Sequence, residues 1–271
     1  MRTFAVINQK GGVGKTTTAV NLSAALAEQG HRVGLIDIDP QAHATLHLGL
    51  EIDPGEPSLY DVLCNNAPLA HARTEITPQL SVIGSNIDLA AAEVELVGVA
   101  GRELILRKKL AEQQGAYDFV IIDCPPSLGI LTINALAAVT EVLLPMQPHF
   151  LALHGLSKLL QTIQLVSQRL NDQLSLTGVA FCMYESGTRL AAEVSSDVEK
   201  FFVESRGQAV PWSGACAFQT KVRRNIRLAE APSFGRSIFD YAPASHGAED
   251  YRQLATELLA YQPARGQSAA A

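Results

Sequence analysis

The sequence predicts an α/β fold, a doubly wound and mostly parallel sheet with helices on both faces. Three observations predict it. Strand-length apolar runs alternate with helical patterns along most of the 271 residues. Apolar residues make up 47% of the chain, enough to bury such runs on both faces. A glycine-rich turn follows the first run and opens the first helical pattern, which is the setting of a phosphate-binding loop.

Each element has its own reason. Residues 3–8 form an apolar strand run, and a helical pattern from about Thr16 to Gln29 stops at Gly30. The next apolar run ends in Asp37-Ile38-Asp39, and Pro40 stops that strand. Residues 58–63 read as a short helix, 80–83 as a strand and 93–110 as helical. Residues 117–123 are a strand ending on Asp123, followed by a helix at 131–136 and a strand at 141–146. A long helix runs to about Leu170, a strand covers 176–183, and a closing helix covers 245–261. The expected organisation is one domain over 1–261, with a Gly-, Ser- and Ala-rich disordered tail over 262–271. His43, His47 and His71 read as surface or loop histidines, because no acidic or cysteine partners converge on them.

The chemistry concentrates in three stretches. The first is Lys10-Gly11-Gly12-Val13-Gly14-Lys15-Thr16-Thr17. Its glycines let backbone N–H groups turn toward phosphate oxygens, and the following helix points its positive end at the same place. Lys15 reaches the β- and γ-phosphates of a nucleotide, and the Thr16 hydroxyl is placed for Mg²⁺. The usual loop has a glycine six residues before its lysine; here that position is Gln9, and Lys10 opens a tighter string. The second stretch ends in Asp37, Asp39, Pro40 and Gln41; both acids project to one face if the strand persists through them. The third carries Asp123 at the end of an apolar strand, ahead of Pro125 and Pro126. An acid there holds magnesium through its water shell, and the prolines stiffen the segment that follows.

The two-lysine loop resembles that of the ParA/MinD family of ATPases, the P-loop NTPases with a deviant Walker A motif. Asp37-Ile38-Asp39-Pro40-Gln41 matches the D-x-D-P-Q switch of its ParA branch, and residues 218–235 resemble the string F-x-T-x-I-P-R-N-V-R-L-S-E-A-P-S-x-G of the ParA/Soj type. The resemblance spans about residues 1–260. It implies that Lys10 crosses a dimer interface to the partner's ATP, that Asp39 orients the attacking water, and that Asp37 supports the loop and the magnesium shell. Lys10, Lys15, Asp39 and Asp123 are then the catalytic set, and Thr16, Asp37 and Asp123 the metal set. Residues 10–17 bind the nucleotide phosphates. Arg223 and Asn225 take base-bordering positions, although the family has proline where this chain has Arg223. Iron–sulfur relatives use cysteine ligands, but Cys64, Cys124, Cys182 and Cys216 are scattered, and Cys124 and Cys182 sit in strand-like runs as small core residues. The four read as reduced thiols.

A net charge of −6 excludes a protein basic throughout, so any DNA contact needs a local patch. Lys221, Arg223, Arg224 and Arg227 supply four basic residues within seven positions. The resemblance assigns this segment to a DNA-binding face, with Arg189 as a further candidate where the family arginine has no direct match. No aromatic residue is interleaved, which implies non-specific backbone binding. The resemblance implies an ATP-bound homodimer on non-specific DNA, hydrolysis stimulated by a ParB-like adaptor, and a cytoplasmic, nucleoid-associated location. No signal peptide opens the chain, no stretch approaches membrane-spanning length, and the tail lacks the amphipathic pattern that ends MinD proteins, so no membrane is expected. Three alternatives stay open: a ParA-like protein positioning a carboxysome or chemoreceptor cluster, a MinD-like membrane-associated ATPase, and a metabolic ligase such as dethiobiotin synthetase, which shares the fold.

Overall fold

The computed structural model of the chain describes residues 1–150 and 152–261, with the backbone alone at 152–154. The elements run β1 (Arg2–Val6), α1 (Lys15–Glu28), β2 (Val33–Asp37), α2 (His43–His47), α3 (Leu59–Cys64), β3 (Arg73–Thr77), β4 (Leu80–Ile83), α4 (Leu89–Glu95) and α5 (Ile105–Ala111). They continue with β5 (Phe119–Asp123), α6 (Ile130–Ala138), β6 (Glu141–Met146), α7 (Ala152–Arg169), β7 (Ser175–Phe181), α8 (Arg189–Ser205) and β8 (Cys216–Ala217). Three short or closing helices follow: α9 (Ile226–Glu230), α10 (Ile238–Tyr241) and α11 (His246–Ala260). The expectation for residues 262–271 lies outside the described residues.

The eight strands are ordered β3-β4-β2-β5-β1-β6-β7-β8. Every neighbouring pair is parallel except β3 with β4. Alternate residues of the central strands face opposite helical layers, as strand geometry demands. Phe4, Val6, Leu35 and Ile121 pack with α1 and α11 on one face. Ala5, Ile36, Ile122 and Val142 pack with α3, α6 and α7 on the other. Both layers are apolar, so the expectation of a doubly wound sheet holds.

The chain leaves β1 toward β2 past β5, and leaves β5 toward β6 past β1. The winding direction therefore reverses between β1 and β5, and a crevice opens at the carboxyl ends of these strands. Asp37 and Asp123 are register partners at that edge, with Val6 beside Asp123 on the other side.

Several boundaries depart from the sequence reading. Residues 93–110 are not one helix: α4 ends at Glu95, two 3₁₀ turns follow, and Gly101 adopts φ 72° before α5. Gly98 and Gly101 weaken helix propagation there. Strand β2 stops at Asp37, so Asp39 is displayed by a loop rather than by a continuing strand. Ser58 closes a capping box with Asp61 at the start of α3, and Ser245 caps α11, which fixes both starts where the sequence puts them.

His47 corrects the surface reading given to it. It lies on the inward side of α2, only 2% exposed, and its Nε2 has no hydrogen-bond partner. Burial pushes its pKa from 6.5 down to about 4. The unfolded chain then takes up a proton near 6.5 that the folded chain refuses until about 4, so stability is complete above 6.5 and falls as the pH drops through this window. At pH 5 the loss is about 2 kcal/mol. His47→Leu should flatten that acid limb in urea titrations at pH 7.5 and 5.0. An equal loss of stability in variant and wild type contradicts this reading.

Candidate functional site

The loop between β1 and α1 is held at its base. Asn8 Nδ2 donates to the Pro145 carbonyl at 2.8 Å, and the Lys10 amide donates to Asn8 Oδ1 at 3.0 Å. Gly12 and Gly14 take φ 71° and 92°, where any side chain is strained. Gly14 also lies against β7's continuation, since a Cβ there would sit 3.4 Å from that of Cys182. Helix α1 begins at Lys15 with no side-chain cap. Its first N–H groups therefore point into the crevice, together with the positive end of a 14-residue helix.

Lys15 is 8% exposed, and its ammonium donates to the Lys10 carbonyl at 3.3 Å. Burial lowers its pKa, while Asp123 and Asp39 oppose that shift. Lys10 lies at the exposed rim, with Nζ 2.7 Å from His149 Nε2 in the loop after β6.

The acidic residues divide their tasks. Both Asp37 oxygens are occupied: Oδ2 accepts from the Thr45 amide at 2.9 Å and hydroxyl at 2.8 Å, and Oδ1 accepts from the Asp39 amide at 3.1 Å. Burial raises its pKa to about 6 against those hydrogen bonds. Asp37 is thus the post on which the 38–45 segment hangs. Asp39 Oδ1 accepts from the Gln41 amide at 2.9 Å. Its carboxylate stands at the crevice, 8% exposed.

Asp123 is fully buried, and neither carboxylate oxygen has a hydrogen-bond partner. Desolvation raises its pKa well above normal, helped by Asp37 and Asp39; the nearby Thr16 hydroxyl and the Lys15 charge pull the other way. A buried, unpaired carboxylate is costly unless a cation reaches it. With the Thr16 hydroxyl it forms a set of hard oxygen donors, which fits Mg²⁺. Among the described residues no three His, Cys, Asp or Glu side chains converge as a separate metal group, so the four cysteines form no cluster.

The basic segment lies elsewhere, beside β7 and α11. Arg223 is clamped: its amide and Nε donate to Asp250 at 2.8 and 2.9 Å, and Nη2 reaches Glu249 at 2.7 Å. Asp250 is 2% exposed, so the positive charge that the sequence adds at this position is matched within the chain. Lys221 is half-buried, with its ammonium 4.5 Å from the Phe181 ring centre and donating to the Phe218 carbonyl. Arg224 pairs with Glu185 at 2.9 Å, Arg227 with Glu230 at 2.8 Å, and Arg189 with Glu193 at 2.7 Å, all of them exposed. Asn225 caps α9, its Oδ1 accepting from the Arg227 amide at 2.8 Å. The sequence reading passed over three of these partners, His149, Thr45 and Asp250. No local pattern marks them, because each meets its residue only through the fold.

Comparison with known proteins agrees with this arrangement. A family model described as "AAA domain" matches residues 1–176. The chain is 46% identical over 258 residues to the sporulation initiation inhibitor protein Soj of Bacillus subtilis (strain 168), across 95% of this chain and 98% of that protein. It is 45% identical over 260 residues to the chromosome-partitioning ATPase Soj of Treponema pallidum (strain Nichols), across 96% and 97% of the two chains. Among solved structures, cobyrinic acid a,c-diamide synthase from Mycobacterium smegmatis with bound ATP analog and magnesium is 37% identical, with a TM-score of 0.79 over 96% of this chain and 94% of that one. A two-lysine phosphate loop, a D-x-D-P-Q switch and full-length likeness to two Soj proteins lead to one assignment: the chain belongs to the ParA/Soj family of chromosome-partitioning ATPases.

Proposed function

We propose that this protein is an ATP-hydrolysing switch that pairs when loaded with ATP, holds non-specific DNA as a pair, and lets go after hydrolysis. The observation that carries the nucleotide part is the buried, unpartnered Asp123 beneath Lys15 and Thr16. Asp123 and the Thr16 hydroxyl would hold Mg²⁺, which would supply charge neutralisation at the phosphate oxygens. The chain's own residues do the rest. The N-terminal amides of α1 and the Lys15 ammonium hold the β- and γ-phosphates, and the Lys10 ammonium offers the same kind of charge to the nucleotide of a second copy. Asp39, fixed by its own turn, positions the attacking water.

Geometry also sorts the proposed DNA residues. The pairs of Arg224, Arg227 and Arg189 lie in solvent, which screens them, so DNA phosphates displace those carboxylates at small cost. Arg223 is tied to a buried carboxylate, and breaking such a pair is expensive. Arg223 therefore shapes the segment, and Arg224 and Arg227 meet the phosphates. Pairing doubles this patch, and a ParB-like adaptor speeds release, which turns nucleotide state into position on the nucleoid. No helix among the described residues is long and apolar enough to cross a membrane. Sedimentation with ATP and liposomes separates this reading from a MinD-like one.

The test uses two variants. Asp39→Ala should slow ATP turnover at least ~10-fold and leave the protein on DNA in a gel shift with ATP; unchanged turnover removes its role. Arg224→Glu should lose DNA while still pairing with ATP, and a wild-type gel shift places the DNA face elsewhere. DNA-stimulated turnover also excludes a metabolic ligase, whose substrates are small molecules.

A further inference from the structure

Helix α1 buries three polar residues in a layer that apolar side chains otherwise fill. Thr18, Asn21 and Ser23 are fully covered among Ala19, Val20, Leu22 and Leu26. A polar group in such a layer costs stability unless its hydrogen bonds are made. Ser23 Oγ donates to the Ala19 carbonyl within the helix, and Asn21 Oδ1 accepts from the Ile238 amide at 2.8 Å. Thr18 joins two further elements at once. Its Oγ1 lies 3.1 Å from Tyr251 Oη on α11 and 3.5 Å from Sγ of Cys182, the residue after β7. None of the three side chains is more than 2% exposed.

The far end of this chain fixes its direction. The Cys182 thiol donates to the Ala180 carbonyl at 3.6 Å, so its sulfur accepts from the Thr18 hydroxyl. The Thr18 oxygen then accepts from the Tyr251 hydroxyl. Each of the three protons has an acceptor, and a satisfied buried network stiffens the elements it joins. Those elements meet behind the phosphate loop. The Thr18 amide donates to the Gly14 carbonyl at 2.9 Å. A Cβ on Gly14 would stand 3.4 Å from that of Cys182. Gly14, at φ 92°, is therefore tied to Thr18 and backed by Cys182. The third element is anchored too, because Asp250, next to Tyr251 on α11, holds the Arg223 amide and guanidinium.

We propose that Thr18, Cys182 and Tyr251 are positioning residues for the phosphate loop: their buried chain of hydrogen bonds holds Gly14 and the first amides of α1 in the shape that takes the phosphates of a nucleotide. This role rests on the ATPase reading. The loop holds phosphate in the bound and in the reacting state alike, so the brace sets nucleotide affinity rather than turnover at saturation.

The probe is ADP with Mg²⁺, followed by isothermal titration; pairing as proposed above needs ATP, so ADP reports on the loop of a single chain. Thr18→Val removes the hydroxyl and should weaken ADP binding about ten-fold, the worth of one hydrogen bond. Thr18→Ser keeps the hydroxyl and should stay within about two-fold of wild type. Thr18→Val also strands the Tyr251 hydroxyl in the core, so its urea midpoint should fall. Adding Tyr251→Phe removes the stranded group, and the midpoint should return toward wild type while ADP binding stays about ten-fold weak. Turnover at saturating ATP should stay within about two-fold of wild type in all three variants. ADP affinity that recovers with stability in the double variant marks a purely structural role and overturns the proposal. Equal weakening by Ser and Val, wild-type affinity in Thr18→Val, or a loss confined to turnover at saturation overturns it as well. A wild type that binds neither ADP nor an ATP analogue overturns the nucleotide reading, and the brace with it.

Discussion

Lys15→Ala is expected to abolish ATP binding while leaving the fold intact. The ammonium it removes sits at the start of α1, 8% exposed, with its pKa lowered by burial. A charge-assisted contact with phosphate in such a shielded place is worth roughly 3 kcal/mol, so affinity should fall by about 100-fold or more. The fold should survive because the one protein hydrogen bond made by this ammonium is a long one, 3.3 Å to the Lys10 carbonyl, and the packing of α1 rests on Val20, Leu22 and Leu26. A second consequence separates this residue from its neighbours. Lys15 is one of the groups favouring the charged form of Asp123, so its loss drives the Asp123 pKa further up. Mg²⁺ affinity should therefore fall together with ATP affinity. Isothermal titration with an ATP analogue checks both, and wild-type affinity in the variant removes Lys15 from the site.

The central sheet and the phosphate loop were legible because local pattern determines them. Runs such as Phe119–Asp123 are buried along their whole length, so hydrophobicity alone marks them as strands. Strand β3 escaped notice because most of Arg73–Thr77 is exposed and carries no alternation. Strand β8 has two residues, too few for any periodicity. The roles within the site divide the same way. Residues 10–17 announce themselves by glycine spacing, whereas the burial of His47 depends on α2 packing over α1. Arg223 looked like part of a free basic patch because its partners Glu249 and Asp250 lie 26 and 27 residues further on, in another helix. The two aspartates of the switch read as twins in sequence, yet the end of β2 separates them into an anchored post and a residue facing the crevice.

Lys10→Ala should leave ATP binding within a few-fold of wild type and remove ATP-dependent pairing. In the single chain the Lys10 ammonium donates to His149 Nε2 at 2.7 Å. Burial and the Lys10 charge both lower the His149 pKa, so at neutral pH the ring is uncharged and accepts that proton. An exposed contact of this kind is weak, on the order of 1 kcal/mol or less. The triphosphate of a second copy carries several negative charges, and its pull on the same ammonium is worth roughly 3 kcal/mol once water is excluded. Exchange of His149 for phosphate is therefore favourable only when a loaded partner closes on the loop, which makes pairing depend on nucleotide. Loss of the ammonium should weaken pairing by about 100-fold.

Sedimentation equilibrium of wild type and Lys10→Ala, each saturated with a non-hydrolysable ATP analogue, tests that dependence most directly. Wild type should sediment as a dimer and the variant as a nucleotide-bound monomer. A wild-type monomer, or a variant that pairs as tightly as wild type, contradicts it.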